Sequence, residues 1–340
     1  MFIYNYPSHT TTMQAKTTHR YRFISICSIL HFLVDGLCVC SLYLLSSHLS
    51  MPHLIAIFLT YNILAFLSQP LTGILADRSH HRHWLLLSSV LFLTIAVLLT
   101  SIVINTDMFR STAGMLAVAT TLGIGNSLFH VWGGKQTVLK TANDIRALGV
   151  FVSTGAFGLS VGMVFCSWAL LFTLLLSICA LSLVYLQIEK PTQTEEEVTV
   201  TERDSKHSFT LPFIWFSMIA LMLIVMLRSM IGEVFSSGIV KSPAIVLLLG
   251  AVAMAGKMAG GWMCKYMGII PAMIVVAIVV VVCLIWRDCA EAILFVGIFT
   301  INLTMPVTLY LANILLRGKE GLAFGLLAAA LIPGYLLVVL

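Results

Sequence analysis

Two pairs of polar residues are embedded in apolar sequence. His31 and Asp35 lie four residues apart in the run 23–46, and Asn126 and His130 lie four apart in the run 111–136. That spacing puts both members of a pair on one helical face. A carboxylate beside an imidazole is proton chemistry. Asp35 is near the middle of its run, beyond easy reach of either surface. His31, with an ordinary pKa of about 6.5, can share its proton. These are the expected proton-coupling residues. A structural reading stays open beside it, a polar pair that ties helices together. Asn126 and His130 offer the same choice, between a wall that hydrogen-bonds a solute and interhelical glue. The run 211–235 adds Arg228 and Glu233. Arg228 needs a partner or a route to water, and snorkelling to the nearer boundary stays open for it. Glu233 falls near the end of its run, where water reaches. Lys257, in the following run, is expected to snorkel towards the cytoplasm.

A second kind of signal is the segment Leu71-Thr72-Gly73-Ile74-Leu75-Ala76-Asp77-Arg78-Ser79-His80-His81-Arg82 between two apolar runs. Gly73 permits close approach of another backbone, Asp77 falls where the chain leaves lipid, and the basic cluster holds the loop in the cytoplasm. The segment resembles the signature loop after the second helix of the major facilitator superfamily, with Gly73, Leu75, Asp77, Arg78 and Arg82 in place and His80 where that family usually has glycine. A degenerate second copy, Gly261-Trp262-Met263-Cys264-Lys265, has lysine for the acid. Two further stretches, His31-Phe32-Leu33-Val34-Asp35 and Phe129-His130, resemble the fosmidomycin-resistance branch. The proline and acid that commonly follow there are replaced by Val131-Trp132. The resemblance implies alternating access, a gating motif at Gly73, Asp77, Arg78 and Arg82, and a cavity lined by the first and fourth helices of each half; Arg228 is thereby a candidate contact for an anion or carboxylate, and Asn126, His130 and Arg228 are the expected substrate-cavity residues.

The elements that must carry these residues follow from composition. The chain of 340 residues is 59% hydrophobic and 10% charged, with a mean hydropathy of +1.02. Soluble domains carry about 25% charged residues, so the class is an all-α polytopic membrane protein. Continuously apolar runs exclude a β-barrel, whose strands alternate. Eleven runs reach the length of a bilayer core, at 23–46, 53–76, 84–105, 111–136, 146–166, 168–188, 211–235, 243–263, 269–286, 290–316 and 320–340. Residues 1–22 read as a cytoplasmic tail, structureless from Met1 to Thr12. The acidic stretch 189–208 reads as a solvated linker. It divides a six-helix bundle, 23–188, from a five-helix bundle, 209–340. A twelfth helix is expected to be missing, which would leave Leu340 outside.

Of the nineteen Lys and Arg, fourteen fall on one side of this alternation, from Lys16 and Arg20 through Arg78, Lys135 and Arg146 to Lys319. Arg110, Lys241 and Arg287 fall on the other, and Arg228 and Lys257 lie within spans. That bias places the N-terminus in the cytoplasm. In the fifth run, Gly158 and Gly162 form a G-x-x-x-G pattern expected to press against another helix. Pro306 and Pro333 are expected to kink their spans. The eight Cys are scattered, and no disulfide framework or zinc site is read from them. His80, His81 and His83 lie in an exposed loop and are not read as ligands. The expectation is therefore a monomeric secondary transporter in the cytoplasmic membrane. It would export a small organic solute by exchange with protons, with no cofactor, no metal and no nucleic-acid partner. Competing readings are a non-transporting scaffold or inactive remnant, and an intramembrane enzyme, for which no nucleophile–base or metal constellation is visible.

Overall fold

Prolines decide where three of the helices bend. The computed structural model describes residues 9–47, 51–79, 83–106, 111–188 and 210–339, and these contain no strand. The helices are α1 (His9–Ser46), α2 (Met51–Arg78), α3 (Trp84–Asn105), α4 (Thr112–Lys140), α5 (Ile145–Val164), α6 (Trp168–Ile188), α7 (Leu211–Ser237), α8 (Pro243–Met267), α9 (Ile269–Ile285), α10 (Glu291–Leu315) and α11 (Glu320–Val338). Proline lacks an N–H and leaves the carbonyl four residues earlier without a partner. Helix α10 breaks after Asn302, four before Pro306, and α11 breaks after Ala329, four before Pro333. Helix α2 passes through a π turn at Ile63–Leu67, which contains Phe66, four before Pro70.

Ten of these helices are long and apolar enough to cross a bilayer, and Ile269–Ile285 is a shorter apolar helix. Six precede residue 189 and five follow residue 210, so the six-plus-five arrangement stands. One expectation changes. Helix α1 starts at His9, inside the segment read as structureless. No proline or glycine lies between His9 and Tyr21, so nothing stops the helix extending back from its apolar span. The stretch 189–208 and Arg82 lie outside the described residues.

Helices α3, α6 and α9 present Leu91, Leu98, Leu176, Leu183, Ile278 and Val281 outward. An apolar face of that kind is solvated by lipid. Helix α5 packs along α1 on one side and along α8 on the other. The close approach to α1 is made by the expected glycine pattern: a Cβ on Gly158 would collide with the carbonyl of Phe32, and one on Gly162 with that of Gly36. The ends of α2, α4, α8 and α10 and the starts of α5 and α11 form one face. It carries Arg78, Lys135, Lys140, Arg146, Lys265, Arg317 and Lys319 and is called the basic face below.

Candidate functional site

Asp35 sits where α1, α4 and α5 meet. Its Oδ2 lies 3.3 Å from His31 Nε2, on the same helix one turn earlier. Its Oδ1 lies 3.4 Å from His130 Nε2 on α4 and accepts from Asn126 Nδ2 at 3.2 Å. The residues are 7% (Asp35), 5% (His31), 7% (His130) and 0% (Asn126) exposed, so water does not replace these contacts. Helix α5 closes the third side at Gly155, where any Cβ would overlap Asp35 Oδ2 and the His31 ring. The i, i+4 spacings therefore do what the sequence suggested, and the two pairs merge into one cluster. That merger is invisible within either helix.

The hydrogen bonds assign the protons. His31 Nδ1 lies 2.7 Å from the carbonyl oxygen of Phe151, and His130 Nδ1 lies 2.9 Å from that of Asn126. A carbonyl only accepts, so each Nδ1 carries hydrogen. In a neutral ring, Nε2 then holds a lone pair, and both Nε2 atoms point at carboxylate oxygens that also hold lone pairs. Each contact becomes attractive only when a proton enters it. The arrangement has room for up to two excess protons, one in each contact. The same three ligand atoms lie within 4.8 Å of one another, a donor set that can also hold a cation. The Asn126 amide donates to Asp35 Oδ1, which supports the charged form of the carboxylate.

The other half of the molecule supplies positive charge. Arg228 on α7 is 7% exposed, and its Nε has no hydrogen-bond partner. Neither Arg228 nor Lys257 on α8 forms an ion pair among the described residues. Lys257 acts electrostatically on Arg228, Asp35 and His130. Glu233, five residues beyond Arg228, is only partly buried and acts on Tyr335. Aromatic packing lies beside the cluster: the rings of Phe151 and His31 are 4.8 Å apart, and Phe324 of α11 packs 6.4 Å from Phe151.

The signature segment lies on the basic face. Asp77 accepts from the backbone N–H groups of Gly321 at 2.9 Å and Leu322 at 2.8 Å, the first turn of α11. Exposed helix N-terminal N–H groups favour an anion there. Lys135 of α4 clamps the same carboxylate, with Nζ 3.1 Å from Oδ1 and a hydrogen bond to the Ala76 carbonyl at 2.8 Å. The sequence reading did not pair Lys135 with Asp77; a lysine three turns from any acid in sequence gives no local signal. Gly73 allows the crossing, since a Cβ there would collide with the Gly321 carbonyl. Arg78 is exposed, with no ion pair among the described residues. At the related junction between α8 and α5, Asp144 caps α5 by accepting from Arg146 N at 3.0 Å and feels the charge of Lys265. There the acid sits at the start of the partner helix, and the second motif copy carries the lysine.

No family model and no curated protein matches the chain. Solved structures do. The human organic anion transporter MFSD10 (TETRAN) superposes with a TM-score of 0.69 at 15% identity, over 94% of this chain and 92% of that one. A variant of the E. coli fucose:proton symporter FucP gives 0.63 at 14% identity, over 94% and 90%. FucP in its outward conformation gives 0.64 at 13%, over 93% and 90%. The fold is that of the major facilitator superfamily. In the major facilitator fold of this chain, Asp35, His130 and Arg228 stand on α1, α4 and α7, the helices expected to line the centre. Asp77 stands at the α2–α11 crossing between the two bundles.

Proposed function

We propose that the chain is a secondary transporter of a small organic anion, working by alternating access and coupled to protons held by Asp35, His31 and His130. The observation that carries the reading is the commitment of both Nδ1 atoms to backbone carbonyls, which leaves two Nε2 lone pairs facing one carboxylate. Arg228, buried with an unpartnered Nε, supports an anionic solute. MFSD10 is named an organic anion transporter and FucP a fucose:proton symporter, which accords with both parts. His31, Asp35 and the Phe129-His130 pair support a place near the fosmidomycin-resistance branch. The Lys and Arg bias supports a cytoplasmic N-terminus, with the Asp77 latch on the cytoplasmic side.

The sign of the coupling follows from the charges. Arg228 and Lys257 oppose proton loading of the Asp35 cluster, and a bound anion offsets them. Proton and anion therefore favour each other's binding, and linkage makes the effect mutual. Cotransport follows, in place of the exchange expected from sequence. The test uses proteoliposomes with a luminal pH dye and a panel of small organic anions added outside. Anion-dependent acidification, absent in Asp35→Asn, supports cotransport. Alkalinisation means exchange and export. Anion flux without any pH change, equal in wild type and Asp35→Asn, removes the proton role.

A further inference from the structure

We propose that Lys257 is a second anion-binding group beside Arg228, and that the solute is a small organic dianion held between the two bundles. The inference rests on the reading of Arg228 as the solute contact. Lys257 lies ten residues before the end of α8 at Met267 and fourteen after its start at Pro243. At a rise of about 1.5 Å per residue, the nearer end is about 15 Å away. That is more than one lysine side chain spans, which argues against snorkelling to either end of the helix.

Lys257 also stands at the level of the proton cluster. A Cβ on Gly149 of α5 would lie 2.9 Å from the Lys257 carbonyl oxygen. Two residues further along α5, the Phe151 carbonyl accepts from His31. Helix α5 thus brings the α8 backbone at Lys257 and the His31 ring within one turn of each other. The charge of Lys257 reaches Arg228, Asp35 and His130.

Among the described residues, neither cation finds a counterion. Both carboxylate oxygens of Asp35 are engaged, Oδ2 by His31 and Oδ1 by His130 and Asn126. With one proton on an imidazole, Asp35 and its histidines are neutral. Glu233 is partly exposed and five residues from Arg228 along α7. Two positive charges therefore remain inside the spans, Arg228 buried and Lys257 half-buried, where an unpaired charge is costly. A monoanion offsets one of them, and a dianion offsets both. Arginine suits a bidentate carboxylate or phosphoryl group, and lysine acts as a point charge on the second negative group or oxygen. A dicarboxylate and a phosphate monoester share this chemistry.

Equilibrium binding to the purified full-length chain tests the proposal. The probes are succinate with its monomethyl ester, and phenyl phosphate with its monomethyl ester; the two series separate the carboxylate and phosphoryl sources. In at least one series, the dianion should bind about tenfold or more tightly than its monoanion. Lys257→Gln and Lys257→Met should erase that advantage, and Lys257→Arg should restore it. Arg228→Gln should remove binding of both charge states. Monodisperse elution and an unchanged unfolding midpoint keep a folding defect apart from a binding defect. Equal binding of monoanion and dianion to wild type, lost only in Arg228→Gln, overturns the role of Lys257 and leaves the anion reading standing. An advantage that survives in both neutral Lys257 variants does the same. No binding of any probe, with Arg228→Gln silent, overturns both.

Discussion

The carboxylate of Asp77 caps a helix from the other end of the chain, with Oδ1 accepting the N–H of Gly321, 244 residues later, at 2.9 Å. Leu322 donates to Oδ2, and Lys135 supplies the countercharge. One side chain thus joins the two bundles at the basic face, where an alternating-access protein must part. Hydrogen bonds to a charged group contribute about 1.5–3 kcal/mol each. Asp77→Ala should therefore shift the equilibrium towards the state open at the basic face, and slow transport without weakening solute binding. Spin-label distances between the starts of α3 and α11, read with solute affinity, check this. Retained turnover with lost affinity would contradict the latch.

Asp35→Asn should fold normally and lose proton coupling. The amide is nearly isosteric, and its N–H can satisfy one of the Nε2 lone pairs that the carboxylate meets only with a bound proton. The unfolding midpoint should stay close to wild type. Solute-driven pH change in proteoliposomes should vanish. A variant that still accumulates solute uphill on a pH gradient would show that the proton binds elsewhere.

Gly155→Ala should damage the same site from the outside. The new methyl would overlap Asp35 Oδ2 and the His31 ring, and both are held by α1. Overpacking of this kind costs about 1–3 kcal/mol. A lowered unfolding midpoint together with impaired proton coupling is expected. Gly232→Ala is the control, because a Cβ there has nothing within 4 Å and should lower neither. Equal behaviour of the two variants would sink the idea that α5 positions the pair.

Asp144→Ala should cost about 1 kcal/mol by removing the cap of α5. Partial burial pushes the Asp144 carboxyl up, but the hydrogen bonds and charge of Arg146, with Lys265, outweigh it and hold the group below its ordinary value. A depressed carboxylate stabilises fully above its unfolded value and loses that contribution as pH falls through the folded one. The gap in unfolding midpoint between wild type and variant should be constant near neutrality and close in strong acid. A gap that widens on acidification would reverse the assigned sign.

The sequence by itself determined what is local. Continuous apolar runs separated by charges set eleven helices; the first apolar span was read as 23–46 and runs Tyr21–Ser46, and the seventh, 211–235, runs Leu211–Ser237. The positions of Pro306 and Pro333 placed two breaks, because a missing N–H acts on its own helix. Gly158 and Gly162 marked a close helix contact without naming the partner. The spacing of His31 to Asp35 was legible because both stand on one face of one helix. Only the tertiary structure decided that Asn126 and His130 turn towards that same Asp35 and that Lys135 clamps Asp77. These depend on the rotation of each helix about its axis and on which helices are neighbours. Hydropathy is nearly blind to both, since lipid and a packed helix solvate an apolar face about equally well.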